Sequence, residues 1–304
     1  MKKFLIVPAL FLAFISQAQN SANRNALLER KNGLYSIVLQ NQVLEIDPEQ
    51  GGRITALKLD GKNFLTSKDV HPAYWGSSFW PSPQSVWKNP AVLEVDQKPY
   101  TVSVENNVLK MTSPKDSNLG YVFTKQISGD ARKGTYTIKY VISNESGKVQ
   151  QVAPWEVTRV HPNGIAFYPK GTGERWGNMA GLAEDKDGIT WFNYPADKIT
   201  RSTTKFFSDG AEGWVAQLNG DILFVKKFPE IAATKAAPGE AEVEIYANPD
   251  KLYVEVENQG EYVELQPGAS TAWEVTWYLR KLPPSIKPEA GNPALTAFVR
   301  NLIK

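Results

Sequence analysis

Short alternating runs separated by turn residues recur along nearly the whole chain, a pattern that points to antiparallel β-structure. Ile54-Thr55-Ala56-Leu57-Lys58-Leu59 alternates and then meets Asp60-Gly61, residue types that tolerate the positive φ of a tight hairpin turn. Residues 121–127 and 135–142 read as two longer strands around a Gly-Asp turn region. Residues 214–218 and 222–228 flank Asn219-Gly220-Asp221, a second hairpin signal. Residues 242–246, 252–257, 262–265 and 271–279 form a C-terminal run of strands. Turn signals this closely spaced predict an all-β chain folded as a large sandwich, not alternating β/α units. Two helical pieces are expected, one short stretch at 22–31 and one at 293–303, after a Pro-rich 283–288 linker. No repeat or domain boundary precedes that linker. The β-domain is therefore read as 19–282, with 283–304 packed on it.

The first residues read as a targeting segment. Lys2 and Lys3 form a charged start, residues 4–15 an apolar run, and Ser16-Gln17-Ala18 a small-residue cleavage signature. Cleavage after Ala18 would export the protein to the periplasm or the medium. The apolar run is shorter than the ~20 residues of a bilayer span, so no membrane anchor is expected. The chain has no cysteine, which removes disulfides, thiol chemistry and a lipid-modified cysteine together. Lys+Arg number 34 against 32 Asp+Glu, and Lys2 and Lys3 account for the difference. A near-neutral mature chain argues against a nucleic-acid partner.

Two histidines, His71 and His161, are too few for a multi-histidine metal site. Each directly precedes a proline and reads as an ordinary loop residue. Carboxylates alone remain as metal ligands, and no spacing points to such a site. There is no phosphate-binding glycine loop, no dinucleotide fingerprint and no Gly-x-Ser-x-Gly elbow, so no cofactor is expected.

Residues 75–87, Trp-Gly-Ser-Ser-Phe-Trp-Pro-Ser-Pro-Gln-Ser-Val-Trp, are unusual. Their prolines and glycine argue against a helix interior or a central strand, so the segment reads as a loop. Two readings stand: Trp75, Phe79, Trp80 and Trp87 stack on a sugar while Gln84 hydrogen-bonds its hydroxyls, or the rings plug one end of the sandwich. In 154–160, alternation puts Trp155, Val157 and Arg159 on one strand face and Glu156, Thr158 and Val160 on the other. A ring beside a forked donor suits a sugar or a carboxylate; the other reading is a core tryptophan with a strand-bridging arginine. Tyr253, Glu255 and Glu257 likewise share a face, the two acids about 7 Å apart. Lining a cleft, one of them can serve as a general base or acid; facing water, they are a solvated edge. Lys205, Lys226 and Lys227 are weaker candidates, and only one of Lys226 and Lys227 can point inward.

These residues carry a family resemblance. Gly51-Gly52-Arg53-Ile54-Thr55-Ala56-Leu57, with Asp60-Gly61-Lys62-Asn63-Phe64-Leu65, resembles the opening of galactose mutarotase-like proteins. Ser143-Asn144-Glu145-Ser146 before the 154–159 strand, and Leu265-Gln266-Pro267-Gly268 before 273–279, are similar to their later turns. Trp75–Gln84 and Pro154–Arg159 look like the uncharacterised DUF4380 family over most of the mature chain. The resemblance implies a β-supersandwich with few short helices and a sugar site on the concave face. It also implies a glutamate base on a late strand, where Glu255 or Glu257 stands, and histidine acids mid-chain. Arg159 falls near the place of one such histidine, and arginine stays charged at neutral pH.

The leading functional expectation is an exported carbohydrate-active protein for a mono- or oligosaccharide, epimerase-like if it is an enzyme. Glu255, Glu257 and Arg159 are its catalytic candidates. Trp75, Phe79, Trp80, Gln84, Trp87, Trp155, Glu156 and Lys205 are its binding candidates. The alternatives are a non-catalytic sugar-binding protein and a structural protein of the cell envelope.

Overall fold

Asn32-Gly33 is the first turn among the described residues, with φ of 51° and 84°. This pair of positive values fits a two-residue hairpin turn, and it joins Leu27–Lys31 to Leu34–Leu39 in antiparallel register. The computed structural model describes residues 26–87 and 92–304. The leader at 1–18 lies outside the described residues, as does the start of the helix expected at 22–31. The rest of that expected helix is corrected: Leu27–Lys31 is an edge strand, because the Asn-Gly turn folds it back onto its neighbour.

Among the described residues the strands form one sheet of eleven and one of ten, and all the strand pairs within them are antiparallel. In the larger sheet Ser77–Ser82, Gln150–Val160, Val254–Gln259, Val243–Ala247 and Lys205–Ser208 lie side by side. In the ten-stranded sheet Ser270–Lys281, Thr135–Asn144 and Tyr121–Asp130 lie side by side. Tyr121–Asp130 alternates buried and half-buried residues, as expected of a strand packed on one face. Ser77–Ser82 and Val254–Gln259 are buried at every position. The larger sheet is therefore covered on its outer face too, and that covered face holds the pocket described below.

The segment read as an aromatic loop contains a strand, Ser77–Ser82, inside the larger sheet, followed by a short turn of helix at Gln84–Val86. Its prolines are accommodated by the pairing. Pro81 sits opposite Pro154. Arg53–Leu59 pairs with Ser77–Ser82 only at Ile54–Ser77, and Gln150–Val160 changes partner between Val152 and Trp155. Both prolines thus lie where no further ladder partner is lost. Gly76 starts this strand at φ +60°, and a Cβ there would meet the Ile54 carbonyl oxygen at 2.3 Å. Gly76→Ala is expected to destabilise the protein by more than ~1 kcal/mol, read from urea unfolding.

Between the sheets lies a buried charged cluster. Lys226 Nζ is 3.2 Å from Glu156 Oε1 and donates to the Val256 carbonyl and Thr158 Oγ1. Tyr140 Oη and Trp277 Nε1 donate to the same Glu156 carboxylate at 2.6 and 3.1 Å. Burial lowers the Lys226 pKa, against the pull of Glu156. Lys227 points the other way, to the Glu212 carbonyl. At the C-terminus the Pro293–Leu302 helix is capped by Asn292, which accepts from the Ala294 N–H. Its Leu295 and Val299 pack with Trp191 and Trp214 against the ten-stranded sheet. No helix among the described residues is long and apolar enough to cross a membrane.

Candidate functional site

Strand register alone brings the key side chains together. Residues paired across antiparallel strands project to the same face. Arg159 pairs with Glu255, Glu255 with Tyr246, and Tyr246 with Lys205. The neighbouring row on that face runs Ser78, Val157, Glu257, Glu244, Phe207. Trp80 pairs with Trp155 in a third row.

From these rows Glu255, Tyr246, Lys205, Trp80 and Trp155 line a cavity of about 250 Å³. Its aromatic walls are Tyr74, Trp80, Trp155, Tyr246 and Tyr253, and Gln84, Thr204, Lys205 and Glu255 supply polar groups. Trp80 meets Trp155 edge to face at 5.4 Å, a favoured geometry for aromatic pairs. Trp80 Nε1 donates to Asp96 Oδ1 at 2.7 Å, and Asp96 is held in turn by Arg53 at 3.2 Å. Trp155 Nε1 donates to Glu257 Oε2 at 2.9 Å. Both indoles are therefore fixed before any ligand arrives.

The charges are ordered from behind the pocket. Arg159 is fully buried. Its Nε donates to Glu255 Oε1 at 2.8 Å, and its Nη1 donates to Ser78 Oγ at 3.0 Å. The guanidinium stacks 5.0 Å from the Trp80 ring centroid and 5.5 Å from that of Tyr74. Lys205 Nζ bridges Glu244 at 2.6 Å and Glu257 at 3.1 Å. Burial opposes the Lys205 charge, but Glu244 and Glu257 outweigh it, so the pKa of this lysine rises. Glu255 is 9 % exposed. Burial is the largest influence on its carboxyl; Arg159 opposes it and Glu257 adds to it, and the balance raises the pKa to about 7. Burial pushes Tyr246 up to about 12 and Tyr253 higher still, so both hydroxyls stay protonated at neutral pH and can donate a hydrogen bond.

The structure separates the candidates. Trp80, Gln84, Trp155, Lys205 and Glu255 line the cavity. Trp87 packs on Trp80 and Trp155 at 5.7 and 6.3 Å, and its Nε1 donates to the Pro81 carbonyl. Arg159 and Glu257 are sealed behind the lining. As placed, they hold Glu255 and Lys205 and do not themselves face the cavity. Phe79 is corrected: it points between the sheets and stacks on Tyr140 at 4.0 Å, because neighbours on a strand face opposite ways. Glu156 is corrected for the same reason, since it belongs to the inter-sheet cluster with Lys226. Trp75 lines a separate cavity of about 250 Å³ beside Arg53 and Asp96. His161 is exposed. His71 Nδ1 accepts the Tyr74 N–H at 3.0 Å, and its ring touches Tyr74 and Tyr253 without reaching the cavity. Tyr74, Thr204 and Tyr246 had no signal of their own in the sequence. Tyr246 emerges only once 243–247 is paired beside 254–259. Among the described residues no group of three or more acids and histidines is placed to hold a metal ion.

No family model and no curated protein matches the chain. Solved structures do. A candidate aldose 1-epimerase from Escherichia coli K12 superposes with a TM-score of 0.57 at 13% identity, over 82% of this chain and 99% of that one. A galactose mutarotase-like protein from Lactobacillus casei gives 0.57 at 12% identity, over 82% and 100%. The fold is galactose mutarotase-like. A TPR-domain containing protein from Parabacteroides distasonis contains the same architecture, with a TM-score of 0.60 at 15% identity over 84% of this chain. The present chain spans about half the length of that protein, 49%. On the galactose mutarotase-like sandwich, the pocket of Glu255 opens on the outer face of the larger sheet.

Proposed function

We propose that the pocket binds a sugar ring and that Glu255 takes the proton of its anomeric hydroxyl while the bond from C1 to the ring oxygen breaks and a Tyr246 or Tyr253 hydroxyl protonates that oxygen, the reverse transfers then closing the ring on either face in an epimerase-like exchange. The observation that carries this reading is the single carboxylate lining a five-aromatic pocket, held from behind by a buried arginine. Rings suit the C–H faces of a sugar, and the hydroxyls of Tyr246 and Tyr253, Gln84 and Lys205 offer donors around its edge. A carboxyl with a pKa near 7 is well matched to proton transfer at neutral pH. The fold likeness supports a carbohydrate role without naming the sugar. The two segments that resemble the DUF4380 family contribute Trp80, Gln84 and Trp155 to the pocket lining, which supports reading both segments as parts of one site. With the leader read at 1–18, the protein would meet its sugar outside the cytoplasm.

Glu255→Gln is expected to keep sugar affinity within about tenfold while anomeric exchange, followed by NMR, falls by ~10²-fold or more. Exchange by the unaltered protein should rise with pH through about 7 and level off above it, since only the ionised carboxylate accepts a proton. Unchanged exchange in Glu255→Gln would refute the catalytic role. One observation favours recognition without turnover: no histidine lines the described pocket, and Arg159 is sealed away from it. That second reading predicts binding with no exchange at any pH.

A further inference from the structure

The outer face of the larger sheet carries an aromatic surface that the pocket does not use. Phe207 lies two residues beyond Lys205 on the same strand, so both side chains share a face. Trp176 is bridged to Phe207: each backbone N–H donates to the other's carbonyl, at 3.0 and 2.9 Å, which puts the two rings on that same face. They stack at 5.4 Å with planes 8° apart. Lys205 Nζ is 5.0 Å from the Trp155 centroid and 5.0 Å from the Phe207 centroid. One ammonium group thus joins the pocket wall to the outer pair.

Trp176 is 43% exposed and is the only aromatic among the exposed large hydrophobics of the described residues. It is nonetheless held firmly. The Met179 N–H donates to the Lys205 carbonyl at 3.0 Å, and Asn178 Oδ1 accepts the N–H groups of Thr204 and Lys205. Gly177, at φ +105°, lets the backbone pass Lys205: a Cβ there would lie 2.6 Å from the Lys205 carbonyl oxygen. A flat ring already fixed in place loses little entropy when a ligand stacks on it.

We propose that Trp176, backed by Phe207, is a second sugar subsite. The pocket's ligand is then an oligosaccharide or glycoside, with one ring beside Glu255 and the next stacked on Trp176. This rests on the saccharide reading of the pocket.

The test is calorimetric titration of the full chain with neutral hexoses and with the disaccharides lactose, cellobiose and maltose. The best disaccharide is expected to bind about tenfold or more tightly than its component hexose, ~1.4 kcal/mol. Trp176→Ala should remove that advantage and leave hexose affinity unchanged, while Trp176→Phe should keep most of it. Equal affinity for hexose and disaccharide in the unaltered protein, or a loss in Trp176→Ala shared by both, would overturn the subsite and leave the pocket reading standing. Binding of no saccharide would overturn both.

Discussion

Glu156→Ala is expected to destabilise the protein by ~3–5 kcal/mol, because it strands a buried cation. Lys226 is fully buried, and without Glu156 it keeps only the Thr158 hydroxyl and the Val256 carbonyl as partners. Tyr140 Oη and Trp277 Nε1 lose their shared acceptor in the same step. An unpaired buried donor costs ~1–3 kcal/mol, so the loss extends beyond the ion pair itself. The whole stability of a domain is of order 5–15 kcal/mol, which makes this a large fraction. Urea unfolding followed by tryptophan fluorescence measures it. Pairing the change with Lys226→Met should recover most of the loss, since a buried ion pair is seldom more stable than apolar residues of similar volume. A loss below ~1 kcal/mol in Glu156→Ala would show that the cluster is not held together by its charges.

Arg159→Met is expected to cost ~3–5 kcal/mol at neutral pH and to change the titration of Glu255. Arg159 is the largest influence opposing the burial of that carboxyl. Without it the Glu255 pKa should move above its present value of about 7. The sign follows from linkage. A carboxyl whose pKa is higher in the folded state than in the unfolded one binds a proton on folding. The contribution of Glu255 to the variant's stability should therefore be fully present below the ordinary glutamate pKa of about 4.3 and be lost as pH rises through the raised value. In an assay of the proposed anomeric exchange, the variant's midpoint should lie at higher pH than that of the unaltered protein. Such a shift identifies Arg159 as a positioning residue, because a purely structural role would lower stability without moving the midpoint. Carbon-13 NMR of the Glu255 carboxyl reads the titration directly.

The sequence made the faces legible and hid their depth. Alternation alone assigned Trp155, Val157 and Arg159 to one side of their strand and Glu156, Thr158 and Val160 to the other, and the hydrogen bonds follow that split. Tyr253, Glu255 and Glu257 share a face as their spacing requires. Period two does not report what covers a face. Tyr74, which closes over Arg159, comes from a segment 85 residues away in sequence. The Trp75–Trp87 stretch misled in a different way. Its prolines suggested a loop, in which Phe79 and Trp80 are free to face one ligand. A strand forces them apart, and the missing N–H groups are tolerated because of where the neighbouring strands stop pairing. The helix expected at 22–31 fails over Leu27–Lys31 because the Asn32-Gly33 turn folds that segment back as an edge strand.

The most direct test of the proposal that the pocket binds a sugar is an NMR titration of the tryptophan indole N–H signals with a panel of neutral and acidic sugars. The nine tryptophans sample distinct places in the molecule. A binding sugar should shift the signals of Trp80 and Trp155, which line the pocket. Trp75, in its separate cavity, and Trp277, between the sheets, should stay where they are. Shifts confined to Trp75, or no shift with any sugar, would contradict the account.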